Sequence, residues 1–363
     1  MVSCTETSYR ALFARTAFSV GADAYQWRDI VLASMASGEW QMAKVATRRG
    51  LVAAAHARAA GVTLPDAALD DASRAFRYER NLASASATEA WLARWQLGVS
   101  DWRESLRRAL LLERFRDVLR GLTLTAGGFD PEAVGAALHA DAVCASLYDR
   151  LARSLAARAA AHARVRADDA SRDDDCTAAM HVGDFEKAMS RIDVEFLGLS
   201  TNEARDRLTT FRTWQASLPR FHRLVLTDGR LRQRVETRTV EWTRFACRLA
   251  LFPDRDMASE AVLCVRADAL DLADIAVAAH VSLVERRFFL DEADASARVP
   301  LLAARPGDVV GPIAIGAEWV VFEVREKRAP NAADPAVRRR AESELLAEGF
   351  DREMERSVRW GTP

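Results

Sequence analysis

The 363-residue chain reads as an α+β protein, mostly helical in its N-terminal part and closing with a small antiparallel sheet and a last helix. Three observations carry this. From Gln26 to Leu119 apolar residues recur at helical spacing, broken by glycines. From Glu236 the pattern turns strand-like, with Val240, Trp242, Phe245, Cys247, Leu249 and Leu251 apolar. Later, Pro306-Gly307-Asp308 and Gly311-Pro312 punctuate an extended segment, and Trp319, Val320, Val321, Phe322 and Val324 form a nearly continuous apolar strand. Length, and a hydrophobic share of one half, suffice for two sizeable cores. The composition shifts divide the chain into 1–125, 126–235, 236–330 and 331–363.

Residues 1–24 are mixed and suggest at most a short helix. Trp27, Ile30, Val31 and Met35 predict a helix over Gln26–Ser37, stopped by Gly38. Trp40–Ala60 predicts a second, stopped by Gly61. Asp66 is placed to cap the next, with Leu69, Phe76 and Leu82 inward. Ser86 or Thr88 would cap a helix carrying Trp91, Leu92 and Trp95. Ser100-Asp101 would cap another carrying Trp102, Leu106, Phe115 and Leu119, before a glycine-containing break at Leu122–Phe129.

Asp141–Ala161 is an alanine-rich helix, and the charged stretch Arg164–Thr177 reads as a linker. From Asp184 the chain can be laid beside its first half, with Asn202-Glu203-Ala204 against Thr88-Glu89-Ala90, and Ser217 and Phe221 against Ser100 and Trp102. A degenerate duplication and a chance likeness between helical hairpins both fit. Beyond the first strand, Pro253–Asp256 is a turn, Met257–Ala279 a helix broken near Asp268, Val281–Leu290 a strand and Asp294–Ala304 a helix. The final strand follows, and then a helix after Asp334-Pro335.

A formal net charge of −1 argues against nucleic acid, which rewards a concentrated positive field. No run approaches the roughly 20 apolar residues that span a bilayer. The opening segment lacks the basic and apolar regions of a signal peptide. Five unpatterned cysteines, Cys4, Cys144, Cys176, Cys247 and Cys264, suit a reducing cytoplasm.

The turn Pro306-Gly307-Asp308-Val309-Val310-Gly311-Pro312 and the strand at Trp319-Val320 resemble the end of a parvulin-type (PpiC-like) peptidyl-prolyl isomerase domain. Leu64–Leu111, through Phe76, Trp91, Leu92, Val99-Ser100 and Trp102, resembles the N-terminal helical domain of SurA-like foldases, as the last helix resembles theirs. The combination is similar to PpiC-related peptide maturation system proteins. The resemblance implies a peptide or unfolded-protein client, with a precursor peptide and its modifying enzyme as partners.

An isomerase must stabilise a twisted amide against a barrier of about 18–20 kcal/mol. The family's two histidines would fall at Ala246-Cys247-Arg248 and at Val320, and neither is present. No catalytic residue, cofactor or metal is therefore assigned. A peptide-binding accessory or chaperone-like factor is expected, with Phe76, Trp91, Trp95, Trp102, Cys247, Phe288, Trp319 and Val320 as candidate binding residues. The alternatives are an isomerase with a non-standard cleft that uses Cys247 or Trp319, and a purely structural interaction protein. For Trp91, Trp95 and Trp102 core packing is the leading reading, and for Cys247 a buried structural thiol. Asp173–Cys176 with His181 could be drawn as a metal site but reads better as a solvated acidic linker. Arg103, Arg107, Arg108, Arg114 and Arg116 read as a solvated helix face.

Overall fold

The computed structural model describes residues 6–119, 129–169 and 182–361. The chain divides into two compact units, Met1–Phe221 with Phe350–Pro363, and His222–Gly349.

The first unit opens with α1 (Glu6–Phe13) and a hairpin of β1 (Thr16–Val20) and β2 (Asp23–Gln26), turned at Gly21 with φ +62°. Then come α2 (Trp27–Ser37), α3 (Glu39–Ala59), α4 (Asp66–Glu79), α5 (Ala85–Arg94), α6 (Val99–Arg114) and α7 (Arg116–Leu119). They are followed by α8 (Pro131–Cys144), α9 (Leu147–Asp169), α10 (Val182–Met189), α11 (Val194–Leu197) and α12 (Thr201–Val225), which runs across the division. The second unit holds α13 (Asp228–Thr237), β3 (Arg244–Phe252), α14 (Arg255–Asp268), α15 (Leu272–Ala278), β4 (Ser282–Phe289), α16 (Ala295–Ala303), β5 (Val309–Ile315) and β6 (Glu318–Arg328). A last helix, α17 (Pro335–Ser357), runs back across the division, and β7 (Val358–Trp360) ends the described chain.

The α+β class and the mostly helical N-terminal part are as the sequence predicts. Several details differ, each for a local reason. The hairpin near the N-terminus is unexpected because β1 gains its second partner, β7, from the far end of the chain. Asp66 is the first helical residue of α4 rather than its cap, since Pro65 sets the extended conformation before it. Ser84, not Ser86 or Thr88, caps α5 by accepting from the Ala87 amide. Gly98 precedes α6, which puts Asp101 in its first turn. Asp141–Ala161 is two helices, parted where Ser146 takes φ +53°. Arg164–Asp169 is helical, continuing α9 instead of starting a linker. The remainder of that stretch, with Cys176 and the drawn metal site, lies outside the described residues, as do Cys4 and most of Leu122–Phe129. Ser217 and Phe221 sit deep within α12, whereas Ser100 lies in the first turn of α6.

The helical core gathers Trp27, Trp40, Trp95, Trp102 and Tyr148. At its centre the buried His139 shares Nε2 with the Trp95 carbonyl at 2.9 Å and Nδ1 with the Tyr148 hydroxyl at 3.1 Å. Desolvation lowers its pKa to about 4, so the imidazole is neutral at pH 7. Asp29 is buried too. It accepts the Gln26 amide at 2.7 Å, closing the start of α2, and pairs with Arg207.

In the second unit the sheet order is β4-β3-β6-β5, antiparallel throughout. The segment Val309–Ile315 is a strand in its own right, so the sheet has one strand more than the expected strand–helix–strand–helix–strand order. Alternation sends Phe245, Cys247 and Leu249 to one face, covered by α16 through Ala297 and Leu301. It sends Ala250 and Phe252 to the other, covered by α14 and α15. A bulge shifts the β3–β6 register by one between Ala246 and Cys247, which pair with Glu326 and Val324 and leave Arg325 as the extra residue.

Candidate peptide-binding groove

The sheet unit brings three sequence-selected residues together. Cys247, Phe288 and Val320 lie in one cluster on the face under α16. Val320, at the second histidine position of the resemblance, and Cys247, one residue before the first at Arg248, are each 2% exposed. The Phe288 ring stacks on Phe245 with centroids 6.0 Å apart. Burial, with the Glu323 carboxylate adding to it, pushes the Cys247 thiol up to about 12. A thiol held protonated in an apolar cluster is not a nucleophile at neutral pH. Trp319 is not part of this group. Strand alternation turns it to the opposite face, where Arg255 lies 5.7 Å from its ring centroid. His280 stands just past α15 with φ +54°.

A cavity of about 750 Å³ borders β5, between Arg266 of α14, Pro300 and Ala303 of α16, and the Gly307-Asp308 and Gly311-Pro312 turns. An edge strand beside a cavity invites strand addition. This edge is blunted. Arg266 already donates to the Val309 carbonyl at 2.8 Å, Ser296 approaches the Ala314 carbonyl at 3.5 Å, and Pro312 has no N–H to offer.

The helical unit leaves a different opening. A groove of about 550 Å³ lies among α3, α6 and α8. Met42, Ala46 and Gly50 recur every four residues on α3, so they share one face and form one wall. Ser105, Ala109 and Leu112 form the facing wall on α6. Gly50 permits this approach, since a Cβ there would stand 3.3 Å from the Arg108 Cβ. Met42 on the rim is 67% exposed, and Ala46 and Ala109 are also open to solvent.

Polar groups line the same groove. Arg108, 5% exposed, donates to Asp141 Oδ1 at 2.6 Å and approaches the Ala137 carbonyl at 3.4 Å. The Ser105 hydroxyl donates to the same Asp141 oxygen at 2.7 Å. The other oxygen of Asp141 takes none of these bonds, and Arg108 Nε has no partner. Cys144 lines the groove as well, its thiol pushed up to about 11 mainly by burial.

Of the aromatic residues selected from sequence, Phe76 reaches this groove. Arg80 holds it there with its guanidinium 3.9 Å from the ring centroid, and donates to the Cys144 carbonyl at 2.6 Å. Trp95 and Trp102 are buried in the helical core, and Trp91 is half-buried between Phe76 and Trp95. Arg108 is a correction to the solvated-arginine reading of α6. Trp102, Ser105, Arg108 and Leu111 are all buried at a spacing of three, so the tryptophan six residues earlier already marked the inner side of the helix. Among the described residues no cluster of His, Cys, Asp and Glu is placed to hold a metal ion, and no helix is long and apolar enough to cross a membrane.

No family model matches the chain, and no curated protein does. Among the solved structures the chain resembles are a foldase and a SurA-like chaperone. The foldase protein PrsA from Streptococcus pneumoniae shares 10% identity over 57% of this chain and 83% of its own, with a TM-score of 0.24. One of two structurally related SurA-like chaperones of Campylobacter jejuni shares 8% identity over 51% of this chain and 80% of its own, with a TM-score of 0.18.

Proposed function

We propose that this chain is a non-catalytic, chaperone-like protein that binds peptide or unfolded-protein clients. The open apolar groove among α3, α6 and α8 carries this reading. Its size lies within the roughly 300–1,000 Å³ of ordinary ligand pockets. Phe76 contributes to its lining, while Trp95 and Trp102 stiffen the core behind it. The sheet face around Val320 is filled by its own side chains, so one histidine position of the resemblance holds a buried apolar residue, and the other holds Arg248, already paired with Glu323 and Asp271. The sequence resemblance narrows the client to a ribosomally made precursor peptide, acting with its modifying enzyme. The free thiols Cys144, Cys247 and Cys264 support a cytoplasmic setting.

The test is suppression of aggregation of an unfolded model protein by the full chain and by Ala46→Phe and Ala109→Phe, which fill the groove from its two walls. The wild type should suppress aggregation and both variants should lose the effect. Equal suppression by all three would overturn the assignment of the groove. In parallel, exchange spectroscopy on proline peptides should show no acceleration of cis/trans interconversion, and clear acceleration would restore the isomerase reading.

A further inference from the structure

The groove's walls restrict the shape of what can enter it. Both are helix surfaces whose backbone groups are already bonded within the helices, so they offer no row of free N–H and C=O groups. An extended segment buried there would leave its own backbone unpaired, which is costly. A helical segment satisfies its backbone internally and presents only side chains. The α3 wall from Met42 to Gly50 rises through eight residue steps, or about 12 Å, which matches roughly two helical turns of a partner. Its small residues at four-residue spacing form the kind of furrow into which another helix lays a ridge.

The charges restrict it further. Glu39, Arg108, Asp141 and Arg150 line the groove, two of each sign, so a strongly charged ligand gains nothing overall. Within it, Asp141 already neutralises Arg108 through one oxygen and keeps the other uncommitted. That oxygen is an acceptor for a donor supplied by the partner. A carboxylate brought to the same place would meet it at like charge.

We infer that the groove takes the aliphatic face of an amphipathic helix, with one uncharged hydrogen-bond donor on that face docked on the free oxygen of Asp141. This deepens the client-binding reading and rests on it. The client would thus be recognised as a helix, folded on binding or before, and Asp141 would select among helices by what stands one turn inside their apolar face.

The probes are synthetic peptides of about four helical turns. The parent has leucines at helical spacing, glutamine and alanine elsewhere, and one asparagine within the apolar face. A second replaces that asparagine by aspartate. A third carries a central proline, which breaks the helix. Binding is followed by anisotropy and by the methyl resonance of Met42 in the full-length protein. The parent should bind and shift Met42, and Ala109→Phe should abolish both signals. The aspartate peptide should bind roughly tenfold more weakly or worse, since a hydrogen bond to a charged group is replaced by repulsion. The proline peptide should not bind. Equal binding of the proline peptide would overturn the helical inference while leaving client binding intact. Equal binding of the aspartate peptide would remove the selecting role of Asp141. If no probe binds and aggregation is not suppressed either, the function itself falls, and with it this inference.

Discussion

The two units treat their apolar faces in opposite ways. In the sheet unit, Cys247, Val320 and Phe322 are packed under α16 and none is more than 3% exposed. In the helical unit, small residues on α3 and α6 leave a furrow between the two walls, with Met42, Ala46 and Ala109 exposed around a polar floor. The first arrangement maximises burial. The second gives up burial and retains an opening with an unused acceptor. A filled face contributes to stability alone, whereas an unfilled one has affinity to spend on something else.

That contrast can be broken most directly at Phe322. It is 3% exposed, and Phe322→Ala should destabilise the sheet unit by about 3–5 kcal/mol. Hydrogen exchange at β3 and β6 amides reads this locally, and a change under about 1 kcal/mol would mean that the face is looser than described.

The helical unit should respond more to pH than to any single truncation near the groove. The unperturbed His value is 6.5, and His139 is pulled down to about 4. Between those values the unfolded chain binds a proton that the folded chain refuses. Stability is therefore full above about pH 6.5 and falls as pH drops towards 4, by up to about 3 kcal/mol. Urea unfolding at pH values inside and above this window should show the loss, and His139→Gln should flatten it. An unchanged slope in that variant would show that His139 is not the group responsible.

A smaller effect belongs to Asp141→Asn. The amide oxygen can still accept from Arg108 and Ser105, but the pairing with a buried guanidinium loses its charge. A cost of about 1.5–3 kcal/mol is expected, measured by urea unfolding at pH 7. A neutral outcome would place Arg108 in a wetter setting than its 5% exposure indicates.

Much of this architecture was readable from spacing alone. The positions of α2, α14 to α16 and β6 follow from apolar periodicity and from glycine, while β3 starts at Arg244, four residues after the Val240 that the apolar pattern suggested, because Val240 and Trp242 lie in the turn before it. Those signals are local, and local physics produces those elements. The β1–β2 hairpin was hidden because its sheet is completed by a strand more than three hundred residues away, which no window along the chain can see. The groove was hidden for another reason. The tryptophans drew attention as large aromatics, yet large aromatics are what a core needs, and Trp95 and Trp102 went there. The opening is made by residues that attract no notice, Ala46, Gly50 and Ala109, and by an arginine disguised among its solvated neighbours.

The pairing of β1 with β7 also fixes an order of events during synthesis. Phe18, Ser19 and Val20 meet Trp360, Arg359 and Val358, while the whole of His222–Gly349 lies between in the chain. At about 5–20 residues per second, the ribosome needs on the order of ten seconds to traverse that insertion. Throughout that interval one edge of β1 has no strand beside it, and the sheet unit has time to fold first. The helical unit is thus begun first and finished last.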